Sequence, residues 1–276
     1  MTRRSAPAHH RSTMTFRPVS LVVLLAAVLL VAVYSLFVDT TTTQGQTNGK
    51  SWRLPKKLRE ASGLAVIDDK HLLTMTDEKA IVYSFDLDTT VVKRWLTIGP
   101  PVKGDFEGIA VKNGVVYLIT SDGKLYHAPG DAKPVDTGLG KVCEIEGLDA
   151  VGDDLLILCK TNYREEDKGM ILIFSWSLKT GLLSPHLRYS VAGLSDVHKL
   201  HPSALAFVDG RYLILAAREK RMVIINTDGT AMVKRLKGHR QAEGIAVLSD
   251  GRVVITDEGK HEGGLVTVYP SIRDID

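Results

Sequence analysis

Short apolar runs recur along this chain in one pattern. Five segments carry it: SGLAVIDDKHLLTMTDE from Ser62, EGIAVKNGVVYLITSD from Glu107, EGLDAVGDDLLILCK from Glu146, SALAFVDGRYLILAARE from Ser203 and EGIAVLSDGRVVITDE from Glu243. Each opens with Glu or Ser, passes through Gly or Ala into an apolar-small-apolar stretch, turns at Asp, Asn or Gly, and enters a second, more apolar strand. Apolar and β-branched runs bounded by such turns are hairpin signals. Third strands are expected at 81–86, 124–127, 170–176, 222–226 and 265–269. Fourth strands are expected at 91–96, 132–135, 187–189 and 231–235. The openings are spaced by 45, 39, 57 and 40 residues, close to the length of a four-stranded propeller blade. An insertion around 163–168 and a longer approach to His201 account for the wide interval.

Repetition at this period predicts an all-β fold, a five-bladed β-propeller. A β-sandwich also has many short strands, but it does not return the same residue to the same place five times. The fifth repeat ends soon after Tyr269 without a fourth strand. Ser51–Pro55 (SWRLP) is placed to supply it and close the ring.

Before residue 51 the pattern changes. Residues 21–38, LVVLLAAVLLVAVYSLFV, form an uninterrupted apolar run without charge, near the lower limit for crossing a hydrocarbon core as a helix. Arg3, Arg4, Arg11 and Arg17 precede it and favour a cytoplasmic N-terminus. A cleaved signal peptide is the alternative, but the run exceeds a usual h-region and no clear A-x-A-like site follows. The polar stretch TTTTQGQTNGK reads as a tether. The expected organisation is a cytoplasmic basic tail (1–20), one N-terminal transmembrane signal-anchor helix (21–38), a flexible tether (39–50) and a propeller (51–276). The propeller would then lie on the periplasmic, or otherwise extracytoplasmic, side of the inner (plasma) membrane.

The formal net charge of +3 is accounted for by those four arginines, so the remainder is near neutral and gives no sign of a nucleic-acid surface. Two cysteines, Cys143 and Cys159, are too few for a disulfide framework or a Cys-rich zinc site. In a regular hairpin Cys159 lies opposite Glu146, leaving Cys143 about 10 Å along the strand. That spacing predicts two free thiols unless a bulge intervenes.

The first strand of each propeller blade lines the central channel, so equivalent positions form a ring. Glu107, Glu146 and Glu243, with Ser62 and Ser203, are expected near one mouth. Asp77, Asp122 and Asp257 close the second strands at the same end. Carboxylates crowded in a poorly solvated funnel repel, so their pKa values rise or a cation joins them. Calcium suits such a site, with its flexible set of oxygen ligands. Magnesium prefers tighter geometry, and the recurring positions offer zinc neither His nor Cys. Glu107, Glu146 and Glu243 are the preferred metal ligands, Asp77 and Asp257 the secondary ones, and Asp105 and Glu144 are placed to share the rim. A Glu-Gly opening also has a purely structural reading, as a bend in the backbone. Asp196, His198 and His201 make a weaker acid–base cluster, read as a solvated loop.

The openings EASGLAV, GDFEGIAV, EIEGLDAV, HPSALAF and QAEGIAVLSDGRVVITDEG, in that order across about residues 52–269, resemble the SdiA-regulated (YjiK-like) family. The resemblance implies a small exported five-bladed propeller associated with calcium, often behind one N-terminal apolar segment. A more distant similarity is to esterase-like phytases. The chain departs from the family pattern at Lys160-Thr161-Asn162, where an acidic residue is usual, and at Ser203-Ala204 and Arg218. Two functions follow as expectations. One is a non-catalytic calcium-binding module, held at the membrane by the N-terminal helix, that binds an envelope ligand or protein. The other is a calcium-dependent phosphoesterase or esterase, with Lys160, Lys199 and Arg218 as candidate phosphate contacts.

Overall fold

The structure is a computed structural model and describes residues 49–130, 132–195 and 197–275. The expected basic tail, membrane helix and nearly all of the tether lie outside these residues. Among the described residues no helix is long and apolar enough to cross a membrane.

The fold is a five-bladed β-propeller of five four-stranded antiparallel sheets. The first strand, β1 (Lys50–Arg53), belongs to the last blade. Blade I comprises β2 (Ala61–Val66), β3 (His71–Thr76), β4 (Lys79–Asp86) and β5 (Val92–Thr97). Blade II comprises β6 (Phe106–Lys112), β7 (Val115–Thr120), β8 (Lys124–Ala128) and β9 (Val135–Asp136), the last shorter than expected. Blade III comprises β10 (Cys143–Val151), β11 (Asp154–Asn162), β12 (Met170–Ser177) and β13 (Leu183–Ser190). Blade IV comprises β14 (Ala204–Val208), β15 (Arg211–Ala216), β16 (Arg221–Asn226) and β17 (Ala231–Arg235). Blade V comprises β18 (Ala242–Val247), β19 (Val253–Asp257) and β20 (Leu265–Tyr269), with β1 as its outer strand. The register Lys50↔Val268 to Arg53↔Leu265 closes the ring as SWRLP predicted.

Apolar residues occupy both faces of the inner strands because each blade is covered on both sides. Along β15, Tyr212, Ile214 and Ala216 pack toward blade III, while Leu213 and Leu215 pack toward blade V. Along β3, Leu72 faces blade V and Leu73 faces blade II. Five hydrophobic clusters result, one for each junction between neighbouring blades. The doubly buried strands therefore read as near-continuous apolar runs, not as an alternation.

The glycines of the openings set how closely blades approach. A Cβ on Gly108 of β6 would stand 2.6 Å from Leu148 Cβ and 2.9 Å from its backbone nitrogen. One on Gly244 of β18 would lie 3.0 Å from the carbonyl carbon of Gly63. Gly63 and Gly147 likewise abut Ile109 and Leu205 of the next blade. These contacts put backbone against backbone around the axis, which only glycine allows.

The cysteine expectation is corrected. Cys143 and Cys159 form a disulfide, with Cα atoms 5.7 Å apart. The β10–β11 ladder shifts register twice, so Ile145, not Glu146, faces Cys159. The bulge curls β10 and brings the sulfurs together, which a regular hairpin would not have done.

Candidate functional site

The same bulges position the acids. Between β6 and β7 the ladder runs Phe106↔Thr120, then Gly108↔Ile119, stepping over Glu107. Blade III steps over Glu146 and blade V over Glu243 in the same way. A bulged residue is left unpaired and its side chain re-aimed. Here all three carboxyl groups line the narrow head of the axial channel, beside Gly108, Gly147 and Gly244. The cavity at that point is about 10 Å³, the space of one water or one ion.

The two serine openings behave differently. In blade I the step falls on Gly63, and Ser62 Oγ donates to Glu107 Oε2 at 3.2 Å. Blade IV has no step. Its ladder starts at Ala204↔Leu215, and Ser203 Oγ donates to the Ala242 carbonyl at 2.7 Å while accepting from Ala217 N at 3.1 Å. Ser203 therefore ties blade IV to blade V.

Charge in the mouth is poorly compensated. Burial, the Glu146 charge and a hydrogen bond shared with Glu146 push the Glu107 carboxyl up to about 10, so Glu107 holds a proton at neutral pH. Burial, then Glu146 and Glu258, raises Glu243 to about 8. Burial, then Asp77 and Glu60, raises Glu258 to about 7. Glu146 is also raised by burial, against the pull of Lys160. Lys160 Nζ ion-pairs with Glu146 and stands 3.5 Å from Glu144 Oε1. Burial works against its charge, but the surrounding glutamates outweigh it and hold Lys160 firmly protonated. Glu146 and Lys160 are the two residues over which the bulged β10–β11 ladder steps, one on each strand, and they pair with each other.

The secondary candidates divide. Asp77 is half-buried near Glu60, Glu78 and Asp105, with its carboxyl raised by burial first and those charges next. Its Oδ1 is buried without a hydrogen-bond partner. Asp105 accepts from Ser121 Oγ at 2.6 Å. Asp257, expected among the ligands, has another task. It bonds His239 Nδ1 at 2.5 Å and accepts from the backbone nitrogens of Arg240 and Gln241 at 2.9 and 3.1 Å. His239 Nε2 in turn meets the Tyr269 hydroxyl at 2.6 Å. This buried Asp–His–Tyr chain anchors the segment entering β18 and leaves Asp257 no oxygen for the mouth. The sequence hinted at it only in placing His239 four residues before Glu243. Asp122 is likewise engaged, by Thr120 Oγ1 at 2.5 Å and by Lys124.

Beside the glutamates opens a cleft of about 380 Å³, bounded by Glu146, Glu243, Lys160, Arg218, Lys220 and Arg240. His201 lies in its wall and pairs with Glu219 Oε1 at 2.7 Å, a partner the sequence reading did not suggest. Asp196, expected beside it, lies outside the described residues.

No family model matches the sequence, and no curated protein matches it either. Solved structures do. The chain is similar to a glutaminyl cyclase from Myxococcus xanthus at 14% identity and a TM-score of 0.52, over 79% of this chain and 93% of that one. It is also similar to a luciferin-regenerating enzyme at 9% identity and a TM-score of 0.52, over 80% of this chain and 95% of that one. At such identities the likeness is one of fold alone.

In kind, the mouth's donors fit calcium: they are oxygens, most of them carboxylate, in a space the size of an ion. They do not form a finished cage, since no three His, Cys, Asp or Glu side chains among the described residues stand close enough to hold a metal. Lys160 supplies the cation in this arrangement, and a calcium ion would have to displace its ammonium from Glu146.

Proposed function

We propose that this protein is a non-catalytic binding propeller, held outside the cytoplasm by its N-terminal apolar run, whose glutamate mouth takes up calcium in competition with Lys160. The observation that carries the reading is the convergence of Glu107, Glu146 and Glu243, each bulged out of its ladder, on one ion-sized space. Those three would hold the ion once drawn closer together than they stand here, with Ser62 Oγ as a neutral donor. Calcium would supply positive charge at the ring centre, where three buried carboxyls now share one ammonium. The resemblance to the SdiA-regulated family points the same way. The disulfide supports export, because such bridges persist in oxidising compartments.

The test is calorimetric titration of calcium into the purified full-length chain. Wild type is expected to bind, and Glu107→Gln/Glu146→Gln/Glu243→Gln to lose binding while still folded. Lys160→Met is expected to bind calcium more tightly, because the competing ammonium is gone. Absence of binding in both wild type and Lys160→Met would end the calcium reading.

A second reading, a calcium-dependent phosphoesterase or esterase, draws on Lys160 and Arg218 lining the cleft beside Glu146 and Glu243. Calcium-dependent turnover of phosphate or carboxylate esters that disappears in Glu107→Gln would establish it over the non-catalytic one.

A further inference from the structure

We propose that the cleft between the mouth and blades IV and V is a binding site for a small organic acid, whose oxyanion is gripped by Arg218, Lys220 and Arg240. The cleft's size, about 380 Å³, is within the range of small-molecule sites. Its charges are arranged unequally. Glu219, the acid between Arg218 and Lys220 in sequence, is turned away: its Oε1 meets His201 Nδ1 at 2.7 Å and its Oε2 accepts from His201 N at 3.0 Å. That leaves Arg218 and Lys220 exposed on the rim without a carboxylate partner among the described residues. Arg240 on the facing loop is in the same state, because Asp257 beneath it takes the Arg240 backbone nitrogen and the His239 ring. Three cations on two blades therefore border one cavity with no acid on the rim to neutralise them.

Guanidinium groups bind carboxylate and phosphate oxygens through paired, charge-assisted hydrogen bonds. On the axial side the wall changes character, to the carboxyls of Glu146 and Glu243, with the one cation there among the described residues, Lys160, already held by Glu146 and Glu144. That wall favours hydrogen-bond donors and disfavours a second anion. The ligand class that satisfies both walls is a small acid, carboxylate or phosphate, carrying hydroxyl groups on the rest of its skeleton. Glu146 and Glu243 border both spaces, but such a ligand uses neither the ion-sized space on the axis nor a bound metal, so its binding in metal-depleted buffer is tested apart from the calcium proposal.

The test is titration of gluconate, glycerol phosphate and inorganic phosphate into the purified full-length chain in metal-depleted buffer at constant ionic strength. Saturable binding of gluconate or glycerol phosphate is expected, tighter than that of inorganic phosphate, and the preferred probe identifies the oxyanion. Arg218→Gln/Arg240→Gln is expected to weaken binding by about tenfold or more, the cost of losing charge-assisted hydrogen bonds. Lys112→Gln, at the hairpin end of blade II away from the cleft, is expected to change nothing, and melting temperatures report that each variant is folded. No saturable binding of any probe, or equal affinity in the double variant, would overturn the proposal. Oxyanion binding in a chain that ignores calcium would keep this site and remove the metal.

Discussion

Blades III and IV share a pattern in sequence but differ at the axis. Blade III opens Glu146-Gly147, bulges, and is stitched by Cys143–Cys159. Blade IV opens Ser203-Ala204, runs a regular ladder from Ala204↔Leu215, and spends its serine on a bond to blade V. In these two blades the bulge and the acid go together, while blade I bulges at Gly63 behind a serine, so the bulge does not require the acid. Glycine lets β10 press on Leu205 of the next blade, and the extra residue created by the bulge is the one whose side chain reaches the channel. Where alanine replaces glycine there is no bulge, and the opening residue becomes structural. A ring of acids has been built from a packing device.

That contrast can be broken most strongly at the crosslink. Cys143→Ser/Cys159→Ser is expected to cost about 3 kcal/mol in denaturant unfolding, the figure for a loop of this length. The glycine contact comes next. Gly108→Ala forces a Cβ to 2.6 Å from Leu148 and is expected to cost about 2 kcal/mol, as overpacking does. Ala204→Gly, the converse change in the regular blade, is expected to cost at most about 1 kcal/mol. Equal effects at the two positions would show that the glycines are not the ring's spacers.

Titration separates the two ends of the channel. At the end away from the mouth, burial raises Asp149 to about 6 from 3.8, even though it accepts from Phe207 N and Ala150 N. An acid that holds its proton more tightly when folded loses stability as pH rises between its unfolded and folded values. Asp149 therefore costs stability progressively from pH 3.8 to about 6 and no more beyond. Glu243 does so from 4.5 to about 8. Melting temperature should fall between pH 6 and 8 in wild type. Glu243→Gln should reduce that fall, whereas Asp149→Asn should alter only the part below pH 6. The smallest effect is expected from Ser62→Ala, which removes one hydrogen bond to Glu107 and should cost about 1 kcal/mol or less.

The blade count, third strands and ring closure were legible in the sequence, because turn residues and doubly buried strands repeat at a fixed period. The convergence of Glu107, Glu146 and Glu243 was legible for the same reason. The disulfide was not, because a bulge changes register by one residue and a hairpin drawn without it puts Glu146 opposite Cys159. Nor was the task of Asp257, which depends on His239, eighteen positions earlier on the far side of the β18–β19 hairpin and recognisable only in space. Lys160 was visible as a departure from an acidic pattern. Its role as the mouth's own cation required seeing that the ladder skips it together with Glu146.

Ring closure by β1 also orders events in time. Ser51 and Thr267 share a hydroxyl contact across 216 positions of sequence, so the first strand of the propeller to be synthesised is the last to find its neighbour. Until β20 exists, β1 has no ladder to join and blade V presents an open edge, the kind of surface on which chains associate wrongly. Joining ends so distant is a slow step. The passage from nascent chain to closed ring is thus gated by β20, and a chain truncated before Leu265 should linger open and aggregate even though four of its blades are complete.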